Sequence, residues 1–281
     1  MHTPSLLLAS VASVAVLAAP SHPQLTSDAA IPGILDTTST YFNLLAQTVK
    51  NTQLTADAAV CDLSKAVFPP NVETPALPPP SAGLVLKHVA IGRGTQNYTC
   101  DVTNATAAPV ADGALATLFN ASCIAATYPS LLNLLPRVVL PFNLSDNSIN
   151  AFSTRLYPTN LAESGHHYFT TATTAFFNLD TPAAAGPAGQ LGTAPCAKNN
   201  TQPAPSDTVV GSDVDNRGQQ GEPAVPWLKL LAKPGATGGL QEVYRLQTVG
   251  GSAPATCAGM PAAFTVQYAA QYWFYEQAGS S

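Results

Sequence analysis

Residues 264–275 read FTVQYAAQYWFY. Taken two residues at a time, Phe264, Val266, Tyr268, Ala270, Tyr272 and Phe274 fall on one face of an extended chain as an unbroken apolar row. The odd-numbered face carries Gln267, Gln271, Trp273 and Tyr275, half polar and half aromatic. This period of two predicts a strand. Upstream, VPWLKLLA (225–232) and LQEVYRLQTV (240–249) are also strand-like, and turn-forming Gly and Pro separate the three segments. LVLKHVAI (84–91) is β-branched and apolar around a polar pair and predicts another strand. The following GRGTQNYTCDVT reads as a turn leading into a further strand.

Helical signals are fewer. DTTSTYFNLLAQTVK (36–50) has a Ser/Thr-rich start and places Tyr41, Leu44, Leu45 and Val49 at helical spacing. Residues 113–140 carry Leu and Ala at i, i+3 and i+4 and predict a helical insertion packed on the sheet. Segment 66–83 contains Pro69, Pro70, Pro75, Pro78, Pro79 and Pro80 and reads as an extended connector. The Pro-, Gly- and Ala-rich stretch 181–206 lacks periodic hydrophobicity and reads as a long surface loop. The expected fold is therefore mainly β: an antiparallel β-sandwich or barrel with a few short helices packed on it. Its expected organisation is a signal peptide over 1–18, a helix and Pro-rich connector over 19–83, a β-rich domain over 84–276 and a tail over 277–281.

The chain has 281 residues, 46% of them hydrophobic and 10% charged, too apolar for a disordered polypeptide and long enough to bury a core. Lys+Arg number 11 against 16 Asp+Glu, so the net charge of −5 leaves no basic footprint for nucleic acid or for an anionic membrane surface. Leu6 to Ala18 form an apolar run too short to span a bilayer, and Val16-Leu17-Ala18 offers small residues for cleavage after Ala18; these are the marks of a secretory leader. Acceptor triplets for N-glycosylation stand at Asn97, Asn104, Asn120, Asn143 and Asn199. Five cysteines, Cys61, Cys100, Cys123, Cys196 and Cys257, contain no C-x-x-C pair and point to disulfides in an oxidising compartment. Their connectivity is open, and Cys100 to Cys123 is the first expectation because it closes the shortest loop. A secreted, extracellular glycoprotein is expected, with no cofactor and no metal.

Candidate chemistry is sparse. Gly92-Arg93-Gly94 begins like a dinucleotide-binding turn, but Asn97 stands where the third glycine is needed and the residues after it favour strand over helix. His166-His167 is the one histidine cluster, and neighbours on a strand point to opposite faces, which predicts one packed and one solvated ring. His22 could bind copper only as a mature N-terminus, which cleavage after Ala18 does not produce. Asp213 to Gly218 opens like a calcium loop and then fails, with Arg217 at position 5 and Ala224 at position 12. No G-x-S-x-G, S-x-x-K or H-E-x-x-H motif occurs. Arg93, Gln96 and Tyr98 form a polar and aromatic group suited to a sugar or peptide surface. For hydrolysis, the candidates are Glu163, Asp180, Glu222 and Glu242 with His167, of which His167 and Glu222 are the leading pair.

The segments GRGTQNYTC (92–100), GALATLFNASC (113–123), SGHHYF (164–169), VPWLKL (225–230), TVGGSAP (248–254) and YWFY (272–275) resemble, in the same order, the secreted family known as domain of unknown function 3455. The resemblance covers roughly residues 56–276. Fungal members often carry the label malate dehydrogenase, a chemistry that the interrupted glycine motif argues against. The family implies no catalytic residues, and none is transferred. The expected function is binding at a cell surface, cell wall or host interface, to a polysaccharide or a surface protein. The alternative is an extracellular enzyme acting on polysaccharide or another polymer.

Overall fold

A computed structural model describes residues 34–53, 61–70, 73–140, 155–156, 159, 161–181, 190–205 and 224–279. The leader, Asn143, Glu222 and the segment Asp213–Gly218 lie outside them. Among the described residues nine strands are seen: β1 (Leu84–Thr99), β2 (Val110–Asn120), β3 (Arg155–Leu156), β4 (Leu161–Thr171), β5 (Thr174–Asn178), β6 (Thr193–Gln202), β7 (Trp227–Ala232), β8 (Leu240–Gly250) and β9 (Ala263–Gln277). The helices are α1 (Ile34–Gln53), α2 (Ser122–Thr127) and α3 (Pro129–Val139).

The strands run antiparallel in the order β2-β1-β9-β8-β7-β6-β5-β4, and a β2–β4 pairing closes the ring. Of the two expected β architectures the protein is thus the barrel, with eight strands in the closed wall. The two-residue β3 pairs with the start of β4. Closure pairs the two edge strands of the sheet, β2 and β4, with each other.

Alternation along β9 decides both layers of the molecule. Its even-numbered residues Tyr268, Ala270, Tyr272 and Phe274 face the barrel interior with Ala90, Ala116, Leu118, Phe177, Ala194, Cys196 and Val243. Its odd-numbered Ala269, Trp273 and Tyr275 face outward, where Leu131, Leu132, Leu135 and Val138 of α3 and Tyr41 of α1 cover them. The half-polar face expected from the sequence is therefore buried too. Its Gln271 donates from Nε2 to the Leu132 carbonyl at 3.2 Å and to Asn133 Oδ1 at 3.0 Å, and accepts from Trp273 Nε1 at 3.0 Å. The Pro-rich connector lies across the outer wall, where Tyr244 Oη donates to the Pro78 carbonyl and Lys229 Nζ to the Pro79 carbonyl, each at 2.9 Å.

Four expectations are corrected. Residues 92–94 make no turn: β1 runs straight through them, paired on both sides. The glycines serve close approach, since a Cβ on Gly92 would lie 2.4 Å from the Tyr272 ring and one on Gly94 1.9 Å from the Leu115 carbonyl oxygen. The helical insertion begins only at Ser122, because GALATLFN is strand β2. Good helix formers are overridden there by a wall that needs small Ala114 and Ala116 inside. The loop expected over 181–206 contains strand β6, whose inward residues are small or polar and carry no hydrophobic period. Finally, Cys123 pairs with Cys61 and Cys100 with Cys257, while Cys196 is a free thiol inside the barrel. Cys100 leaves β1 beside the start of β9, with its amide bonded to the Ala262 carbonyl, and this proximity brings it to Cys257.

Candidate functional site

Strand parity separates the residues proposed from the sequence. On β1, Arg93 projects outward and Gln96 and Tyr98 lie on the opposite, inward parity. The Arg93 guanidinium is 2% exposed and donates to the Leu140 carbonyl at 2.9 Å, the Val139 carbonyl at 3.4 Å and Gln267 Oε1. It closes the C-terminus of α3, where the last carbonyls lack partners and a cation is favoured. Arg93 therefore belongs to the scaffold and does not share a surface with Gln96 and Tyr98.

The barrel interior holds the polar cluster. Arg245, inward on β8 next to Val243, is 8% exposed, and Nη2 donates to the Pro226 carbonyl at 2.9 Å. No carboxylate of the described residues pairs with it. Its charge bears on Tyr98, His167, Tyr268 and Tyr272. Tyr272 also shares a 2.8 Å hydrogen bond with the Tyr268 hydroxyl. Burial raises both phenols above the ordinary tyrosine range and Arg245 acts against it, so both stay protonated. Gln96 sits against Gly251, whose added Cβ would lie 3.0 Å from Tyr268 Cβ and 3.2 Å from Gln96 Cγ. Tyr98 donates to the Gly251 carbonyl at 2.8 Å and stacks on Phe264 at 5.5 Å.

His166 and His167 divide as the alternation requires. His167 is buried inside the barrel, stacked on Phe177 at 4.4 Å and donating from Nδ1 to the Phe176 carbonyl at 3.1 Å. Burial lowers its pKa to about 4, with the Phe176 carbonyl opposing and the Arg245 charge adding to the shift, so the ring is neutral at pH 7. His166 points outward, with Nε2 3.4 Å from Glu163 Oε1.

The carboxylates proposed for hydrolysis each have a separate partner. Glu163 faces His166, Asp180 accepts from the Gly192 amide at 2.6 Å, and Glu242 is buried 3.1 Å from Lys229 and accepts from Ser81. Among the described residues no three His, Cys, Asp or Glu groups assemble for a metal ion, and no helix is long and apolar enough to cross a membrane. Of the glycan acceptors, Asn104, Asn120 and Asn199 are exposed, and Asn97 is half-buried within β1.

Sequence reading missed Arg245. Its available signal was a lone cation on the same parity as Val243 in LQEVYRLQTV, obscured because a bulge between Leu240 and Glu242 resets the alternation.

The outer wall is covered unevenly. Helices and connector lie over β1, β9 and β8, whereas Leu115 on β2 is 56% exposed and Tyr168 on β4 is 36% exposed. Ala116 opposes His167, so Leu115 falls beside Tyr168, and Tyr168 opposes Phe176 with ring centroids 5.2 Å apart. Thr117, His166 and Asn178 flank this row.

No curated protein and no solved structure matches the chain. The family described as Protein of unknown function (DUF3455) matches residues 80–276, the span from the end of the Pro-rich connector through β9. The match takes in every strand of the closed barrel, and the chain belongs to this family.

Proposed function

We propose that the protein is a secreted glycoprotein that works by binding, and that it engages polysaccharide of a cell wall or cell surface through the outer face of β2, β4 and β5. The observation that carries this reading is the outward row of exposed Leu115, exposed Tyr168 and half-buried Phe176 on three neighbouring strands. Apolar side chains gathered on an open sheet face mark an interaction surface. Aromatic rings present an apolar face to the C–H side of a sugar ring, and Thr117, His166 and Asn178 supply hydrogen-bonding groups for its hydroxyls. Two disulfides and three exposed acceptor asparagines support an extracellular setting. The separate structural engagement of Glu163, Asp180 and Glu242 favours binding over polymer hydrolysis, which needs two carboxylates across one bond.

The test is retention of the secreted protein on insoluble fungal and plant polysaccharides, with the supernatants analysed by mass spectrometry. The expected result is retention without soluble product, lost in the Tyr168→Ala/Phe176→Ala double variant. Release of oligosaccharides would make the protein an enzyme. Retention that survives the double variant would place binding elsewhere, and no retention would turn attention to a protein partner.

A further inference from the structure

The polar cluster inside the barrel poses a problem that the surface reading does not address. A buried cation is strongly unfavourable unless it is paired or fully hydrogen-bonded. Arg245 is buried among Tyr268, Tyr272 and His167, and no carboxylate of the described residues neutralises it. Among the described residues its Nε has no hydrogen-bond partner, nor has Nε2 of Gln96, which is 9% exposed and lies beside Gly251. Both atoms are donors. Buried donors without acceptors are rare enough in folded proteins that each calls for a specific explanation.

We infer that the barrel interior is a binding site for a small monocarboxylate, whose oxygens accept from Arg245 Nε and Gln96 Nε2. The charge balance favours this class. Among the described residues Arg245 is the one cation in the cluster and His167 adds none at pH 7, so a single negative charge is neutralised whereas a phosphate dianion would leave an excess. The guanidinium fork and the Gln96 amide suit a planar two-oxygen acceptor. Aromatic Tyr98, Phe264, Tyr268 and Tyr272 provide apolar walls for the organic body of such a molecule. Phe169, 37% exposed and 5.6 Å from His167, stands at the rim, and a Cβ on Gly113 would meet its ring carbons at 3.2 Å. Eight-stranded barrels are wide enough to hold one small ligand among their interior side chains.

The inference does not depend on the polysaccharide reading, because it concerns the opposite face of the wall. It is tested on the full-length protein by a heteronuclear NMR titration following the Arg245 Nε–H and Gln96 side-chain amide signals. Sodium acetate and sodium benzoate are the probes, acetamide and benzamide their neutral counterparts, sodium phosphate the dianion for comparison, and sodium chloride the ionic-strength control. The expected result is a saturable shift of both signals with at least one carboxylate and none with the amides or chloride. Gln96→Leu is expected to weaken the carboxylate about tenfold, the effect of losing one charge-assisted hydrogen bond. Arg245→Met should abolish binding, and if it does not fold, the Gln96→Leu result decides. Absence of a saturable shift, equal shifts with the amides, tighter binding of phosphate, or unchanged affinity in Gln96→Leu would each overturn the assignment.

Discussion

Arg93 on β1 donates to the Leu140 carbonyl at 2.9 Å, tying the middle of a barrel strand to the end of the helix that covers it. The same guanidinium serves the Val139 carbonyl, so one side chain both caps α3 and anchors it to the wall. Arg93→Met is expected to lower unfolding stability by about 3 kcal/mol, since it leaves buried carbonyls without donors. Urea denaturation at pH 7 measures this, and polysaccharide retention at low temperature should be unchanged. A stable variant that no longer binds would return Arg93 to a ligand site.

Acid should destabilise the fold through two histidines. His88, held between Ser122 Oγ at 3.0 Å and Ser164 Oγ at 2.9 Å, and His167 are both lowered by burial to about 4. In the unfolded chain each returns to about 6.5, so the unfolded state binds more protons between these values. The stability of the neutral rings is complete above about pH 6.5 and falls as pH drops towards 4, by about 3 kcal/mol per ring. Unfolding free energy measured from pH 7 to 4 should show this slope. In His167→Phe the slope should be roughly halved, and an unchanged slope would show that His167 does not contribute.

The buried pair Lys229–Glu242, with both side chains at most 5% exposed, holds the connector through Pro79 and Ser81. Lys229→Met alone strands the Glu242 carboxylate and should cost about 3–5 kcal/mol. Replacing both, Lys229→Met with Glu242→Leu, should restore much of that loss. Limited proteolysis adds a local readout, because cleavage between Pro69 and Ser81 should accelerate in the single variant. If the double variant is no more stable than the single one, the connector contacts of Glu242 outweigh the pairing.

Cys196 is fully buried, and burial pushes its thiol up to about 12, with the Lys233 charge opposing. The native protein should therefore resist thiol reagents, and one thiol should appear on unfolding without reductant. Peptide mapping should recover Cys61 joined to Cys123 and Cys100 joined to Cys257. A Cys100–Cys123 peptide would contradict the barrel, because those residues follow β1 and β2 while Cys257 precedes β9.

How much was legible depended on whether a segment carried its own periodicity. β7, β8 and β9 were readable because each alternates against a core on at least one face. β2 and β6 were not, since closing a narrow barrel places alanine, cysteine and polar groups inward, where propensity suggests helix or loop. At the candidate sites, His167 stood out by its doubled histidine and Gln96 and Tyr98 by their place beside a glycine pair. Arg245, Leu115 and Phe176 did not, because no local pattern distinguishes an inward cation or an uncovered outer face.

By itself the sequence determined a β-rich chain with three strands near its end, an amphipathic helix ahead of a proline-rich connector, and one packed and one solvated histidine. Those properties depend on side chains a few residues apart. The tertiary structure decided that the sheet closes into a barrel, that Arg93 meets the Leu140 carbonyl, which cysteines meet, and that Arg245 is buried without a carboxylate among the described residues. Each of these joins residues tens to more than a hundred positions apart, as Cys100 and Cys257 at a separation of 157 do. Only strand order and register bring such residues together.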